Sequence, residues 1–183
     1  MAARSDHLLL IHGDERFRVD RAVIAWRERA RDRSPQLDIE VHDAPARLEA
    51  LRRSIAEVPL LDPERCILVR DPPQLAGATR RGADSAEGLA AALAERAPTT
   101  SLCLVSHGRV APQNPVLSAV RELGGTIEYF APVRGRELRT WLDGEIRARA
   151  LRLGPGSAAQ LMQVAGDDLG VLSSELDKIV AFA

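Results

Sequence analysis

Lysine is almost absent: among 25 basic residues the only one is Lys178. Any phosphate-binding motif that needs a lysine early in the chain is therefore excluded. Cysteine is scarce too. Cys66 and Cys103 each lie inside an apolar run, Cys66-Ile67-Leu68-Val69 and Leu102-Cys103-Leu104-Val105, the setting of an ordinary buried thiol. No apolar run approaches the roughly 18 to 20 residues of a membrane helix, and the N-terminus lacks a basic stretch followed by a signal-peptide core. The reading is a cytoplasmic protein without a membrane partner. No charge of one sign dominates either: 25 basic and 26 acidic residues leave a net charge of -1. Nothing global marks a polyanion as the principal partner, although nucleic acid can still be met locally.

What is present suffices for a core. The 183 residues are 45% hydrophobic and 28% charged, the composition of a globular chain with one good domain, or one domain and a small appendage. Short apolar runs alternate with helical patterns, as strands and crossover helices do in a mainly parallel sheet. Strands are expected over His7 to His12, Leu37 to Asp43, Arg65 to Arg70, Ser101 to His107 and Thr126 to Phe130. Phe17, Ala22, Val23, Trp26 and Ala30 form one helical stripe, for which Asp14 and Asp20 are both candidate caps. Leu48, Leu51, Ile55 and Val58 form a second, stopped by Pro59. Asp71 to Gly88, with two prolines and three glycines, reads as a loop. Leu89 to Arg96 and Pro115 to Leu123 are further helices, the latter closed by Gly124-Gly125.

After Phe130 the strand-like runs cease. Arg134 to Ala150, Ser157 to Ala165 and Asp167 to Phe182 read as three helices, the last with Asp167 as candidate cap. The expected division is an α/β domain over residues 1–133 and a small all-helical domain over 134–183.

A parallel α/β layer followed by a helical lid is the plan of many P-loop ATPases, whose phosphate loop follows the first strand as G-x-x-x-x-G-K-[ST]. Here Gly13-Asp14-Glu15-Arg16-Phe17-Arg18-Val19-Asp20 stands in its place. The second glycine, the lysine and the hydroxyl are missing, and Asp14 and Glu15 repel phosphate. No nucleotide cofactor and no ATP hydrolysis are expected. No G-x-G-x-x-G, G-x-S-x-G or zinc-ligand spacing occurs. His7, His12, His42 and His107 fall at expected strand ends, with no nucleophile or acid beside them in a recognisable pattern. No catalytic or metal-binding residue is assigned.

Four segments carry a resemblance. Leu8-Leu9-Leu10-Ile11-His12-Gly13-Asp14-Glu15, with Phe17, Val19 and Asp20, is a strand followed by G-x-[ED] and a degenerate loop. Val58-Pro59-Leu60-Leu61-Asp62-Pro63-Glu64-Arg65 is a helix end before a strand. Arg134-Gly135-Arg136-Glu137-Leu138 with Trp141 opens the helical part. Ala165-Gly166-Asp167-Asp168-Leu169 through Glu175-Leu176-Asp177-Lys178-Ile179 is the most specific. In this order they resemble the delta subunit of the bacterial DNA polymerase III clamp loader.

The resemblance implies an AAA+-like first domain of five strands without a working ATP site, a helical lid, and a further helical collar domain that these 183 residues do not include. It implies a subunit without catalytic activity of its own that binds and opens the sliding clamp during DNA replication. Its partners are then the clamp (the beta subunit), the other clamp-loader subunits, and DNA through the assembled complex. The family's clamp-contacting pair of hydrophobic residues falls on Leu60 and Leu61. The second of the pair is often aromatic in the family, so Leu61 offers less contact area. Another reading of the pair is that both leucines complete the core contact of their helix. Two other functions stay open: an α/β nucleotide-dependent hydrolase or transferase with an unorthodox phosphate site, and a scaffold resembling the delta-prime subunit. Against the scaffold, two separated cysteines cannot build that relative's four-thiolate zinc module.

Overall fold

The computed structural model describes residues 7–34, 38–43, 47–58, 64–76 and 85–182. Five strands, β1 (Leu8–His12), β2 (Ile39–Asp43), β3 (Arg65–Arg70), β4 (Thr100–Ser106) and β5 (Thr126–Tyr129), alternate with helices α1 (Arg16–Arg33), α2 (Leu48–Ala56), α3 (Ala86–Ala94) and α4 (Pro115–Glu122). The strands form one sheet in the order β2-β3-β4-β1-β5. Every pairing is parallel, with Leu10 beside Leu104 and Ile67 beside Leu102. The strands match the apolar runs of the sequence to within one residue, except that the expected start at Leu37 lies outside the described residues.

The topology dictates which helix covers which face. From β1 the chain crosses to the far edge at β2, then returns through β3 and β4 and passes over β1 to reach β5. Parallel crossovers are right-handed, so reversing the direction of travel reverses the face on which the helix lies. Accordingly α1 packs alone on one face: Val19, Val23, Trp26 and Ala30 meet Leu9, Ile11, Cys66, Leu68, Cys103 and Val105. The other face carries α2, α3 and α4, whose Leu51, Ile55, Leu89, Leu93, Val116 and Val120 cover Leu8, Leu10, Ile67, Val69, Leu102 and Leu104. The central strands β1 and β4 are buried at every position. That two-sided burial is why they read as unbroken apolar runs rather than as alternation.

Local chemistry sets the helix starts, and at three of them it differs from the sequence reading. Neither Asp14 nor Asp20 caps α1; Glu15 occupies the cap position, and its side chain does not cap the helix. Asp14 instead accepts the Arg109 amide at 3.2 Å, and Asp20 lies one turn inside the helix. The third helix of the C-terminal part is capped by Asp168, not Asp167: its carboxylate accepts the Val171 amide at 2.9 Å. The stretch read as a loop from Asp71 is only partly one. Pro72 and Pro73 accept the amides of Leu75 and Ala76 in a turn that buries Leu75 in the core. Ala86 already begins α3, whose cap Ser85 accepts the Gly88 amide at 3.1 Å, and residues 77–84 lie outside the described residues.

Asn114 does two things: its carboxamide oxygen caps α4 on the Val116 amide at 3.0 Å, and its nitrogen donates to the Gln74 carbonyl at 2.9 Å. Asn114→Ala is expected to cost about 2 kcal/mol, a cap plus a buried hydrogen bond. A thermal melt should show the midpoint falling by several degrees.

The chain divides into two compact units, Met1–Ala131 and Pro132–Ala183. The second contains α5 (Gly135–Ala148), α6 (Ser157–Ala165) and α7 (Leu169–Phe182) and, among the described residues, no strand. Within it, Arg149 ties the end of α5 to α7, donating to Glu145 at 2.5 Å, Asp177 at 2.8 Å and Ser173 at 2.8 Å. Among the described residues no helix is long and apolar enough to cross a membrane.

Candidate functional site

In an open parallel sheet the ligand crevice lies outside the carboxyl ends of the strands, where neighbouring strands send their connections to opposite faces. Here that point lies between β1, which leads into α1, and β4, which leads into α4. The connection from β1 to α1 is only Gly13, Asp14 and Glu15, too short to wrap a phosphate. Two of its three amides are also taken: Gly13 donates to the Ser106 carbonyl and Glu15 to the Phe130 carbonyl, both at 3.2 Å. Gly13 has φ +148°, and a Cβ placed on it would lie 2.1 Å from the Phe130 oxygen. Where a phosphate loop turns its N–H groups toward a ligand, this loop folds those of Gly13 and Glu15 onto its own chain and adds a carboxylate.

Two of the four histidines stand at this edge. His12, 6% exposed, accepts the Val110 amide on Nδ1 at 3.2 Å and lies 5.0 Å from the Tyr129 ring. Burial, and then the Arg109 charge, hold its pKa below the ordinary histidine value against the opposing pull of Asp14. His107 follows β4. Its Nδ1 lies 2.8 Å from Asp71 and its Nε2 2.8 Å from Asp20, while its own amide donates to the other Asp71 oxygen at 2.8 Å. Burial disfavours its charge, but the hydrogen bonds and charges of the two aspartates outweigh burial and raise its pKa. Asp71 adopts φ +48°, a conformation that Asp tolerates better than most residues.

This Asp-His-Asp cluster is what sequence reasoning missed. The available signal was that Asp71 and His107 each follow a strand directly, hence share one edge of a parallel sheet. His42 belongs to a separate network on β2: Glu40 contacts it at 2.6 Å, accepts Ser54 at 2.6 Å, and pairs with Arg65. His7, at the amino end of β1, contacts Ser101 at 3.1 Å. Cys66 and Cys103 are buried free thiols, and burial pushes the pKa of both upward. Among the described residues no cluster of His, Cys, Asp or Glu is arranged to hold a metal ion.

Leu60 and Leu61 lie outside the described residues, as do Pro59, Asp62 and Pro63. The flanking chain is described: α2 ends at Ala56, Val58 is 60% exposed, and β3 begins at Arg65. An ion pair of 2.7 Å joins Glu57 to Arg65. Arg65, as the first residue of β3, places this pair at the amino edge of the sheet, opposite the crevice.

No family model matches the chain, and no curated protein matches it in sequence. Solved structures do. The Bacillus subtilis DNA clamp loader delta protein superposes with a TM-score of 0.68 at 14% identity, covering 96% of this chain and 53% of that one. The AMPPCP-bound DnaA of Aquifex aeolicus gives 0.55 at 13% identity, covering 96% and 56%. Domain III of the Thermotoga maritima replication initiation protein DnaA gives 0.56 at 14%, covering 97% and 77%. The fold is AAA+-like. It is the five-stranded parallel sheet and helical tail that the apolar runs imply, and the chain spans about half the length of the first two of these proteins. At such low identity the likeness is one of fold.

Proposed function

We propose that this chain is the ATPase-like part of a delta-type clamp-loader subunit, which binds and opens the sliding clamp in DNA replication without hydrolysing ATP. The observation that carries the reading is the likeness to the clamp loader delta protein over 96% of the chain, combined with a loop after β1 that spends the Gly13 and Glu15 amides within the chain. On this reading the helices after Pro132 form the lid, Leu60 and Leu61 are the hydrophobic wedge, and the cell compartment is the cytoplasm. The other clamp-loader subunits are partners, and DNA is met through the assembled complex. The test is functional: the protein should release closed clamps from circular DNA with no nucleotide present. Clamps that stay on the circle at saturating protein would contradict it.

The second reading, a nucleotide-dependent hydrolase or transferase, is favoured by the AMPPCP-bound DnaA among the similar structures. Titration with ATP and magnesium separates the two. The proposed function expects no binding heat and no turnover, whereas micromolar binding at the Gly13 loop would favour the second.

A further inference from the structure

We propose that His107 is a pH-released clasp, holding the first turns of α1 to the carboxyl ends of β3 and β4 in the place where a ligand would otherwise join them. Three elements meet on one ring: Asp20 from α1, Asp71 from the end of β3, and His107 itself from the end of β4. An ionised carboxylate only accepts hydrogen bonds. With a carboxylate oxygen 2.8 Å from each ring nitrogen, both contacts are hydrogen bonds to ionised carboxylates only when both nitrogens carry protons, so the geometry favours the imidazolium. Its side chain is 14% exposed, against 55% for Asp20 and 46% for Asp71.

The surrounding charges alternate. Arg16 on α1 acts on Asp71. Arg70 at the end of β3 faces both aspartates and pairs at 2.6 Å with Asp43 at the end of β2. Asp14 and Arg109 complete the edge on the β1 side. Asp71 keeps the His107 amide at 2.8 Å whatever the state of the ring. Loss of one proton therefore leaves Nδ1–H on Asp71 and turns a bare Nε2 toward Asp20, and the contact that opens is the one to α1. Because the folded pKa of His107 is raised, its contribution is complete below the unfolded value of about 6.5 and is lost as pH rises through the folded value. Asp71 is held low, burial being outweighed by the His107 amide, its ring and Arg16. Its contribution is present above the unfolded value of about 3.9 and lost as pH falls through the folded value. The clasp is therefore closed between these two limits.

The test is nitrogen NMR of the histidine rings in the whole chain across pH 5 to 9, with hydrogen exchange corrected for its intrinsic pH dependence. The His107 ring is expected to titrate above the ordinary value, with Nδ1 the nitrogen that stays protonated. Asp20→Asn should lower that midpoint. Exchange in the first two turns of α1 should quicken about fivefold as pH passes the midpoint, as expected for a local opening that loses one hydrogen bond. His107→Gln should show the faster exchange at every pH; if it fails to fold, Asp20→Asn alone decides. A midpoint at or below the ordinary value, a neutral ring protonated on Nε2, or a midpoint unmoved by Asp20→Asn would overturn the clasp.

Discussion

Replacing Leu60 and Leu61 together by alanine should weaken binding to the sliding clamp by about tenfold or more while leaving the thermal midpoint nearly unchanged. Two leucines buried on a partner contribute about 3 to 5 kcal/mol before the costs of association, so removing both leaves little of an anchor. Of the described flanking residues, Val58 is exposed and Glu57 pairs with Arg65. If the two leucines instead completed the core of α2, the same substitution would cost several kcal/mol of stability and lower the midpoint sharply. One melt and one binding curve separate these outcomes, because they move in opposite directions.

Gly13→Ala should be the most damaging single substitution at the carboxyl edge. The new Cβ would lie 2.1, 2.7 and 2.8 Å from the oxygen, carbon and nitrogen of Phe130. All three are backbone atoms, so no side-chain rotation relieves the clash. The φ of +148° is itself open to little but glycine. The expected cost is about 3 kcal/mol or more, and the melting midpoint should fall on the order of ten degrees. Gly108→Ala is the control: a Cβ there meets nothing within 4 Å, and its midpoint should stay close to that of the parent. Equal midpoints for the two variants would contradict the tight approach of the loop to Phe130.

The sheet was legible because of its own burial. Strands covered on both faces appear in sequence as continuous apolar runs, and Leu8 to Ile11 and Leu102 to Val105 are such runs. The departure of the loop after β1 from the phosphate-loop pattern was legible as well, in Asp14, Glu15 and the distance of Lys178 from the loop. Asp14 and Asp20 misled because a carboxylate near a helix start caps only if nothing else claims it. Here the claimants, the Arg109 amide and the His107 ring, are 95 and 87 residues away in sequence and are brought near only by the parallel pairing of β1 and β4. Leu75 was hidden for a related reason: one apolar residue in a turn has no period to betray its burial. The proposed pairing of Leu60 and Leu61 with a partner rests only on the order of motifs along the chain, since two leucines between prolines suit a core as well as an interface.

The central claim is that this chain grips a sliding clamp. It is tested most directly by titrating the purified 183-residue chain against the purified clamp from the same source, at moderate salt and without nucleotide, and following the complex by sedimentation. A saturable complex of defined stoichiometry, lost on the double leucine substitution and indifferent to ATP, is the result the account predicts. Two species that sediment independently at every concentration up to tens of micromolar, or a complex that forms only when ATP is added, would contradict it.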